Sequence, residues 1–403
     1  MQSSPEPIRL TELGAPVELA LSEDVAATLA ASGVVTVNRP PWSRNYLIGP
    51  AGHVGVAVVG GVEVRIVPKV PVDRLLFLLG YVQDPSSWRA GGVTVAARDE
   101  LLPAVAEAFR RQAERAVEQG VMQGYRETEE SLPVLRGRLR EKDQLAIRYG
   151  LAMPLEVRYD EWTTDIAENR LLLAAARRLL RLPGVAASTR RGLVRLAGRF
   201  DEVRALLPGR SLPRWSATRL NVRYHAAVRL AELVLRGGSF DQPRGDVRVD
   251  GFLVSMPKVF EAFVVTALGE QLTARYGGRA VAQDLGHLDV ARRVDMRPDL
   301  VWYDDAGRPR AVVDAKYKAE KLAGYPNADL YQLLAYCTAL GLRVGHLVYA
   351  GGNADAQEHV VRHAGTRLLQ HALDLSVSPV ELLRQVDALA DGLVDCGDRT
   401  DAA

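Results

Sequence analysis

The sequence predicts a multidomain α+β protein, on three observations. Short β-type runs punctuated by Gly and Pro fill residues 1–95. Long amphipathic patterns dominate residues 96–240, and helical and strand patterns alternate through 241–403. The expected domains are therefore a small β-rich domain, a helical and partly basic region, and a C-terminal α/β domain. A chain of 403 residues suits two or three domains at roughly 100–200 residues each.

In the first domain, residues 34–37, 46–48, 54–59 and 62–67 read as strands, with Gly60-Gly61 as a two-residue hairpin turn. Residues 73–81 read as an apolar helix. A partly open barrel is one form such a domain can take. Arg39, Trp42, Arg44 and Tyr46 offer either a docking surface or, for the two aromatics, ordinary core. In the central region, residues 100–119 are amphipathic, and 166–182 and 189–206 form a helical hairpin across Pro183-Gly184. Residues 177–199 hold seven arginines and no acid, Arg177 and Arg191 among them. A second basic cluster contains Arg136, Arg138 and Arg140. Each cluster reads either as a solvated face in an Arg-biased chain or as a DNA-binding surface, since Arg neutralises backbone phosphates and releases counterions. The last domain reads helix (257–276), strand (280–283), strand (299–303), strand (310–317), helix (328–340), strand (346–349), with a closing amphipathic helix over 379–394.

Composition excludes several classes. Apolar residues make up 48% of the chain, enough for a sizeable core, so the chain is not disordered. The net charge of +2 excludes a globally basic protein, so any nucleic-acid contact is local. Cys337 and Cys396 are the only cysteines, which excludes a disulfide framework and a zinc cluster and suits a reducing cytoplasm. No apolar run approaches the ~20 residues of a membrane span, so no membrane association is expected. No Gly-Lys pair occurs, so a P-loop motor in the same chain is not expected.

The chemistry concentrates in RPDLVWYDDAGRPRAVVDAKYK, residues 297–318. Asp304-Asp305-Ala306-Gly307 reads as a turn between two apolar runs. Folding the runs back about Ala306 sets Asp299 opposite Val313, so Asp299 and Asp314 reach the same end of the hairpin. Asp314 and Lys316 share one face, because side chains alternate along a strand. Hydrolysing a phosphodiester needs charge neutralised on the non-bridging oxygens and a water made nucleophilic near neutral pH, and a divalent metal supplies both. Mg²⁺ (or Mn²⁺) takes one or two carboxylates and keeps several waters. Asp299 and Asp314 fit that number, with the Ala315 carbonyl as a third protein oxygen. Lys316 can orient the attacking water and stabilise developing charge. Glu261 can add a ligand to metal or water if its helix packs beside the sheet. A plain solvated turn is the alternative, but an unpaired carboxylate ending an apolar strand would be costly, and so one there wants a cation. Asp289 and Asp295, nearby, read as solvated loop residues. Cys337 reads as core packing, and His359 and His363 as strand residues rather than a metal pair.

These residues carry a resemblance. The helix–strand–strand–strand–helix order with Pro298-Asp299 and Asp314-Ala315-Lys316 resembles the PD-(D/E)xK nuclease superfamily, a restriction-endonuclease-like fold. Gln332 and Tyr336, four apart on one helix face, resemble the Gln-x-x-x-Tyr motif of one branch, which approaches the DNA or the metal. Val259-Phe260-Glu261-Ala262-Phe263-Val264 resembles the helix that opens the nuclease domain of the McrC family. Asp165-Ile166-Ala167-Glu168-Asn169-Arg170, Arg65-Ile66-Val67-Pro68-Lys69 and Leu135-Arg136-Gly137-Arg138 are similar to further elements of that family. The similarity covers roughly residues 34–350.

The resemblance implies a cytoplasmic, Mg²⁺-dependent endonuclease subunit of a 5-methylcytosine restriction system. It implies catalytic roles for Asp299, Asp314, Lys316, Glu261, Gln332 and Tyr336. It also implies double-stranded, modified DNA as substrate and an McrB-like AAA+ GTPase hexamer as partner, with the N-terminal part docking into the ring and stimulating its hydrolysis. Two other readings stay open: a GTPase-stimulating docking subunit with a dispensable nuclease site, and a stand-alone repair-type nuclease.

Overall fold

The structure, a computed structural model, describes residues 7–83, 85, 88, 100–149, 151–207, 211–236, 249–317, 327–351 and 357–401. Both expected domain boundaries lie outside these residues. Contacts divide the chain into two units: residues 1–104 with 237–403, and residues 105–236.

The N-terminal segment contributes strands β1 (Ile8–Thr11), β2 (Val17–Leu19), β3 (Val35–Asn38), β4 (Tyr46–Pro50), β5 (His53–Val59) and β6 (Val62–Val67). The Gly60-Gly61 turn closes the β5–β6 hairpin, with Val59 opposite Val62. A helix, Glu23–Ser32, is capped by the Ser22 hydroxyl accepting from Val25 N–H and ends at Gly33 in the left-handed region. The strands form two sheets, β2–β4–β3 and β1–β6–β5–β10, in place of one partly open barrel. Here β10 (Val249–Ser255) comes from about 190 residues further along the chain and pairs antiparallel with all of β5. Gly55 permits that pairing: at φ +125° it is strained for other residues, and a Cβ there would stand 2.1 Å from the Phe252 carbonyl oxygen. So remote a pairing leaves no local signal in the sequence. The helix Val72–Gln83 then packs on the helix Met256–Tyr276 through Phe77, Tyr81 and Phe263, with ring centroids 5.4–6.1 Å apart. The Tyr81 hydroxyl donates to Glu270 at 2.9 Å.

The 105–236 unit is less purely helical than its composition predicts. Helices Ala167–Arg181 and His225–Arg236 each bury a leucine- and alanine-rich face, and Ala187–Gly198 buries Thr189, Gly192, Leu193 and Leu196. Between them and the helix Leu101–Ala116 lies a sheet ordered β7 (Gly124–Leu132), β9 (Leu155–Thr163), β8 (Arg138–Leu139). Buried Asp165 joins sheet to helices, accepting from Arg170 at 2.6 Å, from the Arg204 N–H at 3.0 Å, and from Arg126.

The C-terminal segment builds a six-stranded sheet in the order β11 (Arg279–Ala282), β14 (Leu300–Tyr303), β15 (Pro309–Lys316), β16 (Val344–Ala350), β18 (Arg367–Leu373), β17 (Gln357–Val360). Strands β15, β16 and β18 are parallel, and β14 runs antiparallel to β15. A separate two-stranded hairpin, β12 (Gly286–His287) with β13 (Asp295–Met296), stands just before β14. Helix Met256–Tyr276 buries Phe260, Phe263, Val264 and Leu268. Helix Asn327–Leu340 packs Leu333, Tyr336 and Cys337 against Val301, Val312, Leu347 and Tyr349. Cys337 is thus core, as its sequence context implied. The last helix is Pro379–Asp401. Among the described residues no helix is long and apolar enough to cross a membrane.

Candidate active site

The β14–β15 hairpin differs from its sequence reading by one residue. Tyr303 sits opposite Pro309, the register expected from a turn centred on Ala306. The register then shifts between Trp302 and Tyr303, so Leu300 lies opposite Val313. Asp299, expected opposite Val313, is thereby carried next to Asp314. The extra residue is on β15, as in a β-bulge, a device that re-aims side chains beside functional sites. The turn is held by Asp304, whose side chain accepts from the N–H groups of Ala306 and Arg308 at 3.0 and 2.9 Å.

At the carboxyl end of β15 the predicted residues meet. Asp314 is 1% exposed. Lys316 Nζ lies 2.5 Å from Asp314 Oδ2 as an ion pair. Asp299 Oδ2 accepts from the Ala315 N–H at 2.7 Å, which fixes the residue whose carbonyl was the expected third oxygen. Burial, the Asp314 charge and, less strongly, the Glu261 charge push the Asp299 carboxyl up to about 7, against the Ala315 N–H and Lys316. Burial likewise raises the Asp314 pKa, outweighing Lys316. Burial opposes the Lys316 ammonium, but Asp314, Asp299 and Asp329 hold its pKa above the ordinary lysine value. Two carboxylates that resist ionising together share one lysine.

The flanking helices supply the rest. Gln283 Nε2 donates to Glu261 at 2.6 Å, and Gln283 N–H donates to the Asp299 carbonyl. Glu261 therefore stands beside the pair and acts on it by charge. Among the described residues no three Asp, Glu, His or Cys side chains converge on a metal position. Gln332 Nε2 donates to the Tyr336 hydroxyl at 2.8 Å, and that hydroxyl donates to the Arg297 carbonyl at 3.3 Å. Burial first, then the Asp314 charge, raises the Tyr336 pKa. Sequence reading missed Asp329. It is buried in the first turn of its helix, accepts from the Tyr349 hydroxyl at 3.2 Å, and raises the pKa values of Asp314 and Lys316. An acid in a first helical turn looks like routine dipole compensation, which hid it.

Gly345 sets the depth of this helix on the sheet. A Cβ there would lie 2.4 Å from Cys337 Sγ and 2.9 Å from Leu333. Gly345→Ala is expected to cost about 1–3 kcal/mol by overpacking, read by urea denaturation. A variant as stable as the parent would contradict that packing role.

The donor set suits Mg²⁺: two adjacent buried carboxylates, all oxygen, and mutual repulsion that a cation would relieve. The arginines singled out from sequence lie elsewhere, in the 105–236 unit. Arg136 stacks 4.0 Å over Tyr159, and Arg140 pairs with Glu129 and Asp143. Arg138 is exposed on β8 beside Arg158, whose guanidinium binds Glu127 and Glu129. The acids of β7 thus neutralise much of that cluster. Arg177 and Arg191 are exposed, while Arg178, Arg190 and Arg199 donate to backbone carbonyls of their own unit.

Fold and site together define a mixed α/β protein whose largest sheet ends in a buried carboxylate–lysine cluster. Residues 49–350 match the model of the family described as McrBC 5-methylcytosine restriction system component, and the chain belongs to that family. A chain of the refined half-complex from the tetradecameric assembly of Thermococcus gammatolerans McrB AAA+ hexamers with bound McrC has the same fold: TM-score 0.60, 20% identity, 96% of this chain and 100% of that one covered. A chain of the cryo-EM structure of the Thermococcus gammatolerans McrBC complex matches at TM-score 0.39 and 22% identity, over 66% of this chain and 88% of that one. No curated protein sequence matches it significantly.

Proposed function

We propose that the chain is the McrC-like, DNA-cleaving subunit of a modification-dependent restriction complex, with a PD-(D/E)xK nuclease site, driven by an McrB-like AAA+ GTPase whose hydrolysis it stimulates. One observation carries the cleavage reading: the bulge-set convergence of Asp299, Asp314 and Lys316 at the end of β15. Asp299 and Asp314 would hold the metal. When bound, Mg²⁺ supplies charge neutralisation at the scissile phosphate and lowers the pKa of a water. Lys316 keeps its proton, so its role is to orient that water and stabilise charge on the phosphate rather than to serve as the base. The Gln332–Tyr336 pair fixes the Arg297 carbonyl and, through it, the backbone leading into Asp299.

Membership of the McrBC family supports the partner, as does the likeness to an assembly of McrB hexamers with bound McrC. The 105–236 unit offers a surface for it. Helix Glu141–Arg148 has no buried residue, and Leu145, Tyr149 and Leu151 are 66–91% exposed. Apolar exposure of that extent marks a protein contact. Trp42, 87% exposed, keeps the N-terminal strands a second candidate.

The test combines two readouts in the complex with the GTPase. Asp314→Asn is expected to abolish cutting of methylated plasmid and to leave stimulation of GTP hydrolysis intact. Cutting by this variant would remove the nuclease assignment. Stimulation by the parent chain without any cutting would favour a docking subunit alone.

A further inference from the structure

The hairpin β12–β13 belongs to no larger sheet, and its tip is built rather than slack. Leu288 N–H donates to the Val294 carbonyl at 2.9 Å. Asp289 Oδ1 accepts from both the Arg293 and Val294 N–H groups at 2.8 Å, and Arg292 takes the left-handed conformation at φ 55°. At the base, His287 Nδ1 lies 3.1 Å from Asp295 Oδ1. These contacts occupy the acids of the hairpin. Arg292, Arg293 and Arg297 are exposed, and no described ion pair holds them. Val290, between the arms, is fully exposed.

The hairpin is tied to the candidate active site at its other end. Met296 is buried against Val312 and Tyr336, the Arg297 carbonyl accepts from Tyr336, and Asp299 follows two residues later. Val290 stands nine positions before Asp299, so tip and carboxylate lie within roughly 30 Å. One turn of duplex is about 34 Å. An arm that presents two exposed, unpaired guanidiniums beside an apolar tip, one duplex turn or less from the carboxylates, has the chemistry of a DNA grip: guanidiniums on phosphates and an apolar side chain at the groove.

We infer that Gly286–Met296 is the DNA-gripping element of this site, with Arg292 and Arg293 holding the phosphate backbone within one duplex turn of the scissile bond and Val290 entering the groove. The inference rests on the nuclease reading. Its two guanidiniums are engaged by no described ion pair, unlike those of Arg140 and Arg158, and Asp289 and Asp295 are turned to the hairpin's own backbone and to His287, so phosphates of duplex DNA are the complementary occupant here.

The test uses the full chain carrying Asp314→Asn, with Mg²⁺ and a fluorescein-labelled 30-base-pair duplex, its affinity followed by anisotropy across a salt series. Adding Arg292→Ala and Arg293→Ala together is expected to weaken binding about tenfold and to reduce the salt slope by about two, one per phosphate contact. Val290→Asp, at a fully exposed position, weakens binding without affecting the fold, whereas Arg308→Ala, which removes a guanidinium already paired with Asp304, changes neither quantity. An unchanged slope and affinity in the arginine pair overturns the inference, as does a parent chain that binds no DNA. The nuclease reading is judged separately, by plasmid cleavage in the complex, and survives the first of these outcomes.

Discussion

Asp299→Asn is expected to lower DNA cleavage by roughly 10³-fold while making the metal-free protein more stable at pH 8. The two effects share a cause. The carboxyl is pushed up to about 7 by burial and by the Asp314 and Glu261 charges. In the unfolded chain it titrates near 4. Between these values the folded state holds a proton that the unfolded state has shed, so this group's contribution to stability falls as pH rises from about 4 to about 7. Above that window it is ionised in both states, and the whole cost of a buried, repelled carboxylate is present. Asparagine reproduces the protonated form and can still accept from the Ala315 N–H. Urea denaturation in EDTA at pH 8 should show a gain of about 2–4 kcal/mol, shrinking toward zero near pH 4. Mg²⁺ should raise the melting temperature of the parent at pH 8, by linkage to a site present only in the folded state, and raise that of the variant much less. A variant less stable than the parent at pH 8 in EDTA would mean that Asp299 serves the fold rather than the metal.

The carboxylates and lysine were legible because their types and alternation are local properties. Their exact juxtaposition was not. Counting back from Ala306 gives the right pairing at Tyr303 and the wrong one at Asp299, since a one-residue bulge depends on how the turn relaxes onto the strand, not on residue type. Helices such as Ala167–Arg181 and Met256–Tyr276 were found within a few residues of their ends, because burial of one face imposes the 3.6-residue pattern, whereas the helix expected over 189–206 stops at Gly198. Strand β7 was missed for the opposite reason. Its residues, GYRETEESL, are partly or wholly exposed along its length, so no apolar alternation records the strand. Strand β10 was missed because its partner lies about 190 residues away, and nothing in seven residues specifies so remote an edge. Asp329 escaped because burial, which makes its charge matter, arises only when its helix docks.

Lys316→Met should abolish cleavage as Asp299→Asn does, but with the opposite effect on stability. The methionine keeps the volume and apolar stem of lysine and removes the ammonium 2.5 Å from Asp314 Oδ2. Asp314, 1% exposed, is then left with its burial and the Asp329 charge and no cation. Breaking a buried pair from one side costs about 3–5 kcal/mol, because the remaining charge stays desolvated. The sign with pH follows. Lys316 is what lowers the Asp314 pKa, so its loss raises that pKa further. The variant's folded state then holds the proton over a wider range than the unfolded state does. Its deficit is therefore small well below pH 4, where Asp314 is protonated in both the folded and the unfolded state, and grows as pH rises through neutrality. Asp314→Asn combined with Lys316→Met removes both charges and should recover most of the lost stability at pH 8, with cleavage still absent. Denaturation of the two single variants and the double variant at pH 5 and pH 8 gives the coupling directly. Additive effects, or a Lys316→Met deficit that does not change with pH, would mean that the lysine and the buried carboxylate do not act on each other, and the charge balance proposed for this site would be wrong.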